Sequence, residues 1–225
     1  MRLDILSNLQ SIFSSDRVLT DATSLQHYGR DWTKHYDIKP SAIVFPLSTE
    51  EVVKLVKLAR TEKIGLVPSG GRTGLSGGAC ALNGEVVVSF EKMNRFLEYN
   101  ELNRTVRLEP GVITEALQNY AKERNSYYPV DFAARGSSQI GGNIATNAGG
   151  VKVLRYGLTR DWVASLKVVT GAGEVLDLNK DLIKNATGFD LRHLMIGSEG
   201  CLGFVTEATM RLTSPPKPLT VLILG

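Results

Sequence analysis

Two cysteines, Cys80 and Cys201, are all that the 225 residues contain, so the chain has neither a disulfide framework nor cysteine spacing for a metal. Cys201 sits inside a glycine loop and reads as a small buried hydrophobe rather than a reactive thiol. Histidine is equally scarce. His27, His35 and His193 are dispersed, nothing places any of them beside a substrate, and each reads as structural. No segment approaches the ~20 consecutive apolar residues that cross a bilayer. The first ten residues carry polar side chains every few positions and lack an apolar signal core. Charge is nearly balanced, 26 basic against 23 acidic residues giving +3, and no basic run is interleaved with aromatics. Nucleic acid is therefore not an expected partner, and the expectation is a soluble, cytoplasmic protein. Two phosphate-binding signatures are also missing. Gly77-Gly78 is not followed by the Lys-Ser/Thr of a Walker A loop, and the Rossmann G-x-G-x-x-G spacing is absent.

What the chain does have is glycine in clusters. Fourteen of its 22 glycines fall into three short stretches. The first is Pro68-Ser-Gly-Gly-Arg-Thr-Gly-Leu-Ser-Gly-Gly-Ala79, the second runs from Gly136 through Gln139, Asn143 and Asn147 to Gly150, and the third runs from Gly188 to Gly203. Glycine is entropically costly and collects where backbone must take positive φ or approach something without a Cβ in the way. Three such loops suggest backbone wrapped around a large, phosphate-bearing ligand. The first opens off an apolar strand, and consecutive backbone N–H groups in a glycine loop bind anions. The second mixes glycine with Ser137, Ser138, Gln139, Asn143, Thr146 and Asn147. That mixture suits a flat heteroaromatic ligand such as an isoalloxazine, and it equally suits turn chemistry alone.

The rest of the pattern is mixed. Leu3, Leu6, Leu9, Ile12 and Phe13 predict an opening helix, followed by a polar, aromatic stretch, Tyr28-Gly-Arg-Asp-Trp32. Strands are predicted over 42–45, 64–67, 86–90 and 105–108. Ser48-Thr-Glu-Glu51 has capping-box spacing ahead of Val52, Leu55, Val56 and Ala59, which predicts a helix. A second amphipathic helix is predicted over 114–124, with Ile113, Leu117, Tyr120 and Ala121 on one face. Residues 166–169 and 174–178 flank Gly171-Ala-Gly173 as a hairpin, and Ala208, Met210 and Leu212 alternate in a late strand. Strand–helix–strand early and hairpins later predict an α+β, two-lobed fold. The expected boundaries are a helical segment over 1–40, one lobe over 41–100, a second over 101–214, and 215–225 as a linker and strand. Leu219–Leu224, after the prolines, reads as the first strand of a further domain that lies beyond this chain.

Together the first loop (Pro68–Gly78), the second (Gly136–Gly150), Arg155-Tyr-Gly157, Thr187-Gly-Phe-Asp-Leu191 and Ile196-Gly-Ser-Glu-Gly-Cys-Leu-Gly203 carry a resemblance. The chain resembles the FAD-binding domain of the vanillyl-alcohol oxidase/p-cresol methylhydroxylase flavoproteins, in their branch of D-lactate, glycolate and D-2-hydroxyglutarate dehydrogenases. The likeness runs from about Tyr28 to Leu212. It implies that Pro68, Gly70, Gly71, Arg72, Thr73, Gly74, Leu75 and Ser76 hold the FAD pyrophosphate. Glu109, Pro110, Gly111 and Asp131 would line the cleft. Ser137, Gly142, Asn143, Thr146, Asn147 and Gly150 would follow the flavin, and Glu199, Gly200 and Val205 would close the adenine-ribose end. Relatives with a histidyl-linked flavin carry histidine where this chain has Arg72, so the resemblance implies non-covalent FAD. It further implies oxidation of a small D-2-hydroxyacid to the 2-oxoacid, with a base taking the hydroxyl proton and the α-hydride passing to the flavin. A quinone, cytochrome or electron-transfer flavoprotein would be the acceptor, and the base and metal-binding histidines would lie in a C-terminal cap domain that is not among these residues. An alcohol or sugar-lactone oxidase on the same fold, and a non-catalytic flavin-binding subunit, are the alternatives.

Overall fold

The computed structural model describes residues 3–182 and 184–217. They form two β-sheets with helices between and around them. The first sheet has β1 (Val18–Leu19), β2 (Ala42–Val44), β3 (Leu66–Ser69) and β4 (Val86–Ser89) in the order β1-β2-β4-β3. β2 and β3 run parallel to β4, and β1 is antiparallel to β2. The second sheet is wholly antiparallel. Its strands are β5 (Phe96–Asn100), β6 (Thr105–Leu108), β7 (Val163–Thr170), β8 (Val175–Leu178) and β9 (Gly203–Arg211), in the order β5-β6-β9-β7-β8. The two-lobed α+β expectation matches this architecture. The sheets divide the chain slightly differently from the expected boundaries: β1 joins the first sheet from within 1–40, and β5 joins the second sheet from before 101. Leu219–Leu224 lies outside the described residues.

The helices follow from apolar spacing. α1 (Leu3–Ile12) and α2 (Ala22–Tyr28) precede β2, and α3 (Thr49–Glu62) links β2 to β3. Val52, Leu55, Val56 and Ala59 of α3 are all buried, as their i, i+3, i+4, i+7 spacing requires. Leu9 and Phe13 pack into the same core as α3 and the first sheet; each fully buried side chain of this kind contributes about 1.5–3 kcal/mol. Only half of the predicted capping box forms. Ser48 Oγ accepts the Glu51 N–H at 3.3 Å. The Glu51 carboxylate instead accepts the Leu47 N–H at 2.8 Å and Arg17 at 2.6 Å, which ties α3 to the segment before β1. Ile64 does not open β3. Its N–H returns to the Ala59 carbonyl at 2.8 Å and closes α3, so the strand starts two residues later.

α4 (Thr114–Lys122) and α5 (Ile140–Ala145) pack against the second sheet. Leu117 and Ala121 are buried as expected, whereas Ile113 caps α4 and is 38% exposed; Thr114 takes its place inside. The lobes share a core. Val169 of β7 and Phe204 of β9 are buried among side chains of α1, α3 and the first sheet. Thr49 Oγ1 of α3 donates to Thr206 Oγ1 of β9 at 3.0 Å. No helix among the described residues is long and apolar enough to cross a membrane.

Candidate functional site: an interlocked glycine cleft

The three glycine clusters meet, and they touch one another first. A Cβ on Gly71 would lie 2.2 Å from the Ser137 carbonyl oxygen, so the first loop rests directly on the second. A Cβ on Gly200 (φ 80°) would lie 2.4 Å from Pro68 Cγ, which brings the third loop against the first. The third loop also caps α5: Gly197 N–H donates to the Ile144 carbonyl at 3.0 Å and Glu199 N–H to that of Ala145 at 2.8 Å. Of the five glycines in the first cluster only Gly77 has positive φ (81°). Close approach, rather than left-handed backbone, accounts for Gly71. The left-handed residue in the middle of this loop is Arg72, at φ 56°.

Between the loops lies a cleft of about 500 Å³, within the usual range for a small-molecule site. It opens beside the C-terminal ends of β3 and β4, at Ser69 and Phe90, with the start of β9 and one face of α5 as its other walls. Among the described residues, none of the backbone N–H groups from Gly70 to Ser76 donates a hydrogen bond within the protein. A run of free amides at a cleft wall is an anion site in waiting. Two buried polar atoms of the lining also lack a partner, Ser69 Oγ and Gln139 Oε1, in residues 1% and 7% exposed. A buried polar group left unpaired is costly, so such atoms mark where a ligand supplies the missing bond. Nothing would lie within 4 Å of a Cβ on Gly142, so that wall is flat and open.

Fifteen of the residues that the resemblance implies line this cleft: Pro68, Gly70, Gly71, Arg72, Thr73, Gly74, Ser76, Pro110, Gly142, Asn143, Thr146, Gly150, Glu199, Gly200 and Val205. Six stand outside the lining. Leu75 is 70% exposed. Glu109 is buried but turned to Arg95, accepting its backbone N–H at 2.8 Å and a guanidinium N–H at 2.7 Å. Gly111 is packed against the Phe90 carbonyl, 2.1 Å from where its Cβ would be. Asp131 braces the second loop from behind. Its carboxylate accepts from Lys152 and Arg135, its carbonyl from the Val151 N–H, and the Lys152 ammonium holds its carboxyl below the usual range. Ser137 bonds back to Ala134, and Asn147 accepts the Arg160 N–H at 3.0 Å.

Arg72 turns back onto α2. Its guanidinium lies 4.6 Å from the Tyr28 ring centroid, reaches His27 Nε2 at 3.2 Å and donates to the Gly70 carbonyl. Burial and a hydrogen bond to Glu91 push the Tyr28 hydroxyl up. Cys201 contradicts expectation: it is exposed, on a tight turn closed by its N–H donating to the Ser198 carbonyl at 3.0 Å. Cys80 is half-buried beside Asp31, and burial raises its thiol. No histidine lines the cleft, and among the described residues no group of three or more His, Cys, Asp and Glu side chains gathers to hold a metal. Sequence reasoning missed Asp31, Phe90, Phe132, Met195 and Phe204, which line the cleft from outside the glycine clusters or as apolar members of the third. The one available signal was the polar stretch around Asp31.

The FAD binding domain family model matches residues 40–179, and the chain belongs to that family. It is 62% identical over 221 residues to a D-2-hydroxyglutarate dehydrogenase of Stutzerimonas stutzeri (strain A1501), covering 98% of this chain and 48% of the relative. It is 39% identical over 193 residues to glycolate oxidase subunit GlcD of Bacillus subtilis (strain 168), covering 86% and 41%. The chain thus spans about half the length of the curated relatives it matches. A solved alkyldihydroxyacetonephosphate synthase superposes with a TM-score of 0.87 at 24% identity, covering 97% of this chain and 41% of that one, and so shares the fold. FAD fits the cleft on physical grounds. Its diphosphate offers acceptors to the free amides, its rings and sugars offer partners to Ser69 and Gln139, and its flat ring system suits the open wall at Gly142.

Proposed function

We propose that this chain is the FAD-holding portion of a flavoenzyme that oxidises a small D-2-hydroxyacid of the 2-hydroxyglutarate, lactate or glycolate type to the 2-oxoacid. The observation that carries the reading is the interlocked cleft with its run of unpaired amides, in a chain 62% identical to a D-2-hydroxyglutarate dehydrogenase. Bound FAD would supply the two-electron acceptor for the substrate's α-hydride. The residues of this chain would do the holding. The free amides between Gly70 and Ser76 would donate to the diphosphate, Pro110, Gly142, Asn143, Thr146 and Gly150 would form the wall along the ring system, and Glu199, Gly200 and Val205 would close the far end. Phe90, Phe132 and Phe204 would add apolar surface to the same walls. The cofactor would be held without a covalent bond, since Arg72 has no nucleophilic ring nitrogen and its guanidinium is engaged with Tyr28 and His27. The proton acceptor and the site of the final electron acceptor lie outside the residues assigned here.

The test uses the whole gene product that contains this chain. Purified with FAD and mixed anaerobically with D-2-hydroxyglutarate, D-lactate and glycolate, it should show bleaching of the flavin absorbance with at least one. A flavin that stays oxidised with all three overturns the assignment. Acid precipitation of the same preparation should leave a white pellet and a yellow supernatant; colour retained in the washed pellet overturns non-covalent binding.

A further inference from the structure

The segment ahead of the family-matched region touches the first glycine loop at more than one point. Asp31 lies within it, only 6% exposed and lining the cleft. Its Oδ2 accepts the Gly77 N–H at 2.8 Å, and its Oδ1 accepts the Thr33 N–H at 2.9 Å and faces Cys80 Sγ at 3.5 Å. Trp32 N–H donates to the Gly74 carbonyl at 3.0 Å. Gly29 accepts the Ala81 N–H at 3.0 Å, and Lys39 N–H donates to the Ala81 carbonyl at 2.7 Å. The Tyr36 ring covers Gly77, 2.4 Å from where a Cβ would be. Residues 29–39 therefore form a strap that grips the loop at Gly74, Gly77 and Ala81. The amides from Gly70 to Ser76, none of which donates a hydrogen bond among the described residues, lie between this strap and the end of β3.

A carboxylate in this position is unexpected on charge alone. It would lie in the same cleft as a diphosphate, and like charges in a poorly hydrated site repel. Its hydrogen bonds offer the opposite contribution, because a loop fixed before binding need not be ordered by the ligand. The two effects predict opposite signs for loss of the charge, and the geometry decides between them: both carboxylate oxygens accept backbone N–H groups, one of them from the loop itself.

We propose that Asp31 is a positioning residue for the FAD site, clasping the phosphate loop through Gly77 so that the Gly70–Ser76 amides are set before the cofactor arrives. The inference rests on the reading of the cleft as an FAD site. Asn at this position keeps the size but offers a single acceptor oxygen, so either the clasping bond to Gly77 or the Thr33 bond that holds the side chain in place is lost.

The experiment compares the whole gene product that contains this chain with its Asp31→Asn variant, by titrating FAD and following flavin fluorescence, and by amide hydrogen exchange of the cofactor-free proteins. Asp31→Asn should bind FAD about tenfold or more weakly, the loss expected when a hydrogen bond to a charged group is removed. Exchange should quicken across Gly70–Gly78 and stay unchanged in α3 and β7. Equal or tighter FAD binding by Asp31→Asn overturns the proposal, since charge repulsion would then be the larger effect. Unchanged loop exchange overturns it independently of any cofactor. Exchange that quickens throughout the chain also overturns it, because the clasp is local. If the whole wild-type protein takes up no FAD while the loop exchange still responds to Asp31→Asn, the reading of the cleft fails and the clasp itself stands.

Discussion

Replacing Gly71 by alanine adds one methyl group where no space exists. The new Cβ would sit 2.2 Å from the Ser137 carbonyl oxygen and 2.8 Å from Ser138 Cα, and both are backbone atoms. Real Cβ contacts do not fall below 3.0 Å, so the two loops must part by at least 3.0 − 2.2 = 0.8 Å. Overpacking of this kind costs about 1–3 kcal/mol. For a chain of this size that lowers the melting temperature by about 2–12 °C. The displaced loop is the one whose free amides face the cleft, so part of the same cost appears in cofactor affinity, at about tenfold per 1.4 kcal/mol. FAD binding should weaken by about 10–100-fold, read by fluorescence titration of the folded variant. Gly171→Ala is the control: it lies in the β7–β8 turn, without left-handed φ and with nothing within 4 Å of its Cβ. It should leave both measurements unchanged. If Gly71→Ala bound FAD as tightly as wild type, the contact between the first two loops would not shape the site.

Gln139→Leu should change stability and binding in opposite directions. Removing an unpaired buried oxygen should raise the melting temperature of the cofactor-free chain, while FAD affinity falls by about tenfold; a fall in both overturns the role given to that oxygen. Asp131 supplies a pH dependence. Its folded carboxyl is held below its ordinary value, chiefly by Lys152, so its contribution is present above pH ~4 and is lost as pH falls through the depressed folded value. With Lys152 partly exposed, the screened contribution is about 0.5–1 kcal/mol. Asp131→Asn should therefore lower stability at neutral pH and narrow its gap to wild type in acid, measured by urea unfolding at pH 7 and pH 3; a gap that is constant across the two assigns it to shape instead.

The parts of the fold visible in sequence were those with a period or a short unbroken apolar run, such as β2 and β4. α3 announced itself through Val52, Leu55, Val56 and Ala59, and β6 through the alternation of Thr105, Val106, Arg107 and Leu108, whose burial alternates in the structure. β1 has two residues and no room for a period, and β5 shows partly exposed residues without alternation, so neither gave a signal. Glycine density located the cleft, because backbone packed on backbone leaves no other residue possible at Gly71. It could not say which glycines face a ligand and which face a neighbouring loop. Gly141 and Gly142 are neighbours in one cluster, yet a Cβ on the first would lie 2.6 Å from Pro110 Cβ while the second borders open cleft. The cleft residues from outside the clusters, Asp31 above all, are brought in by tertiary contacts that no local pattern encodes.

The core shared between the lobes bears on how the cleft works. Phe204 and Val169 are strand residues of one sheet buried in the interior of the other lobe, and Thr49 and Thr206 fasten the same junction. Two bodies joined in this way have no free hinge between them. Where the first two loops meet, at Gly71 and Ser137–Ser138, the contact is between backbone atoms that cannot change rotamer to make room. The spacing of those two walls is therefore set when the chain folds rather than when a ligand arrives.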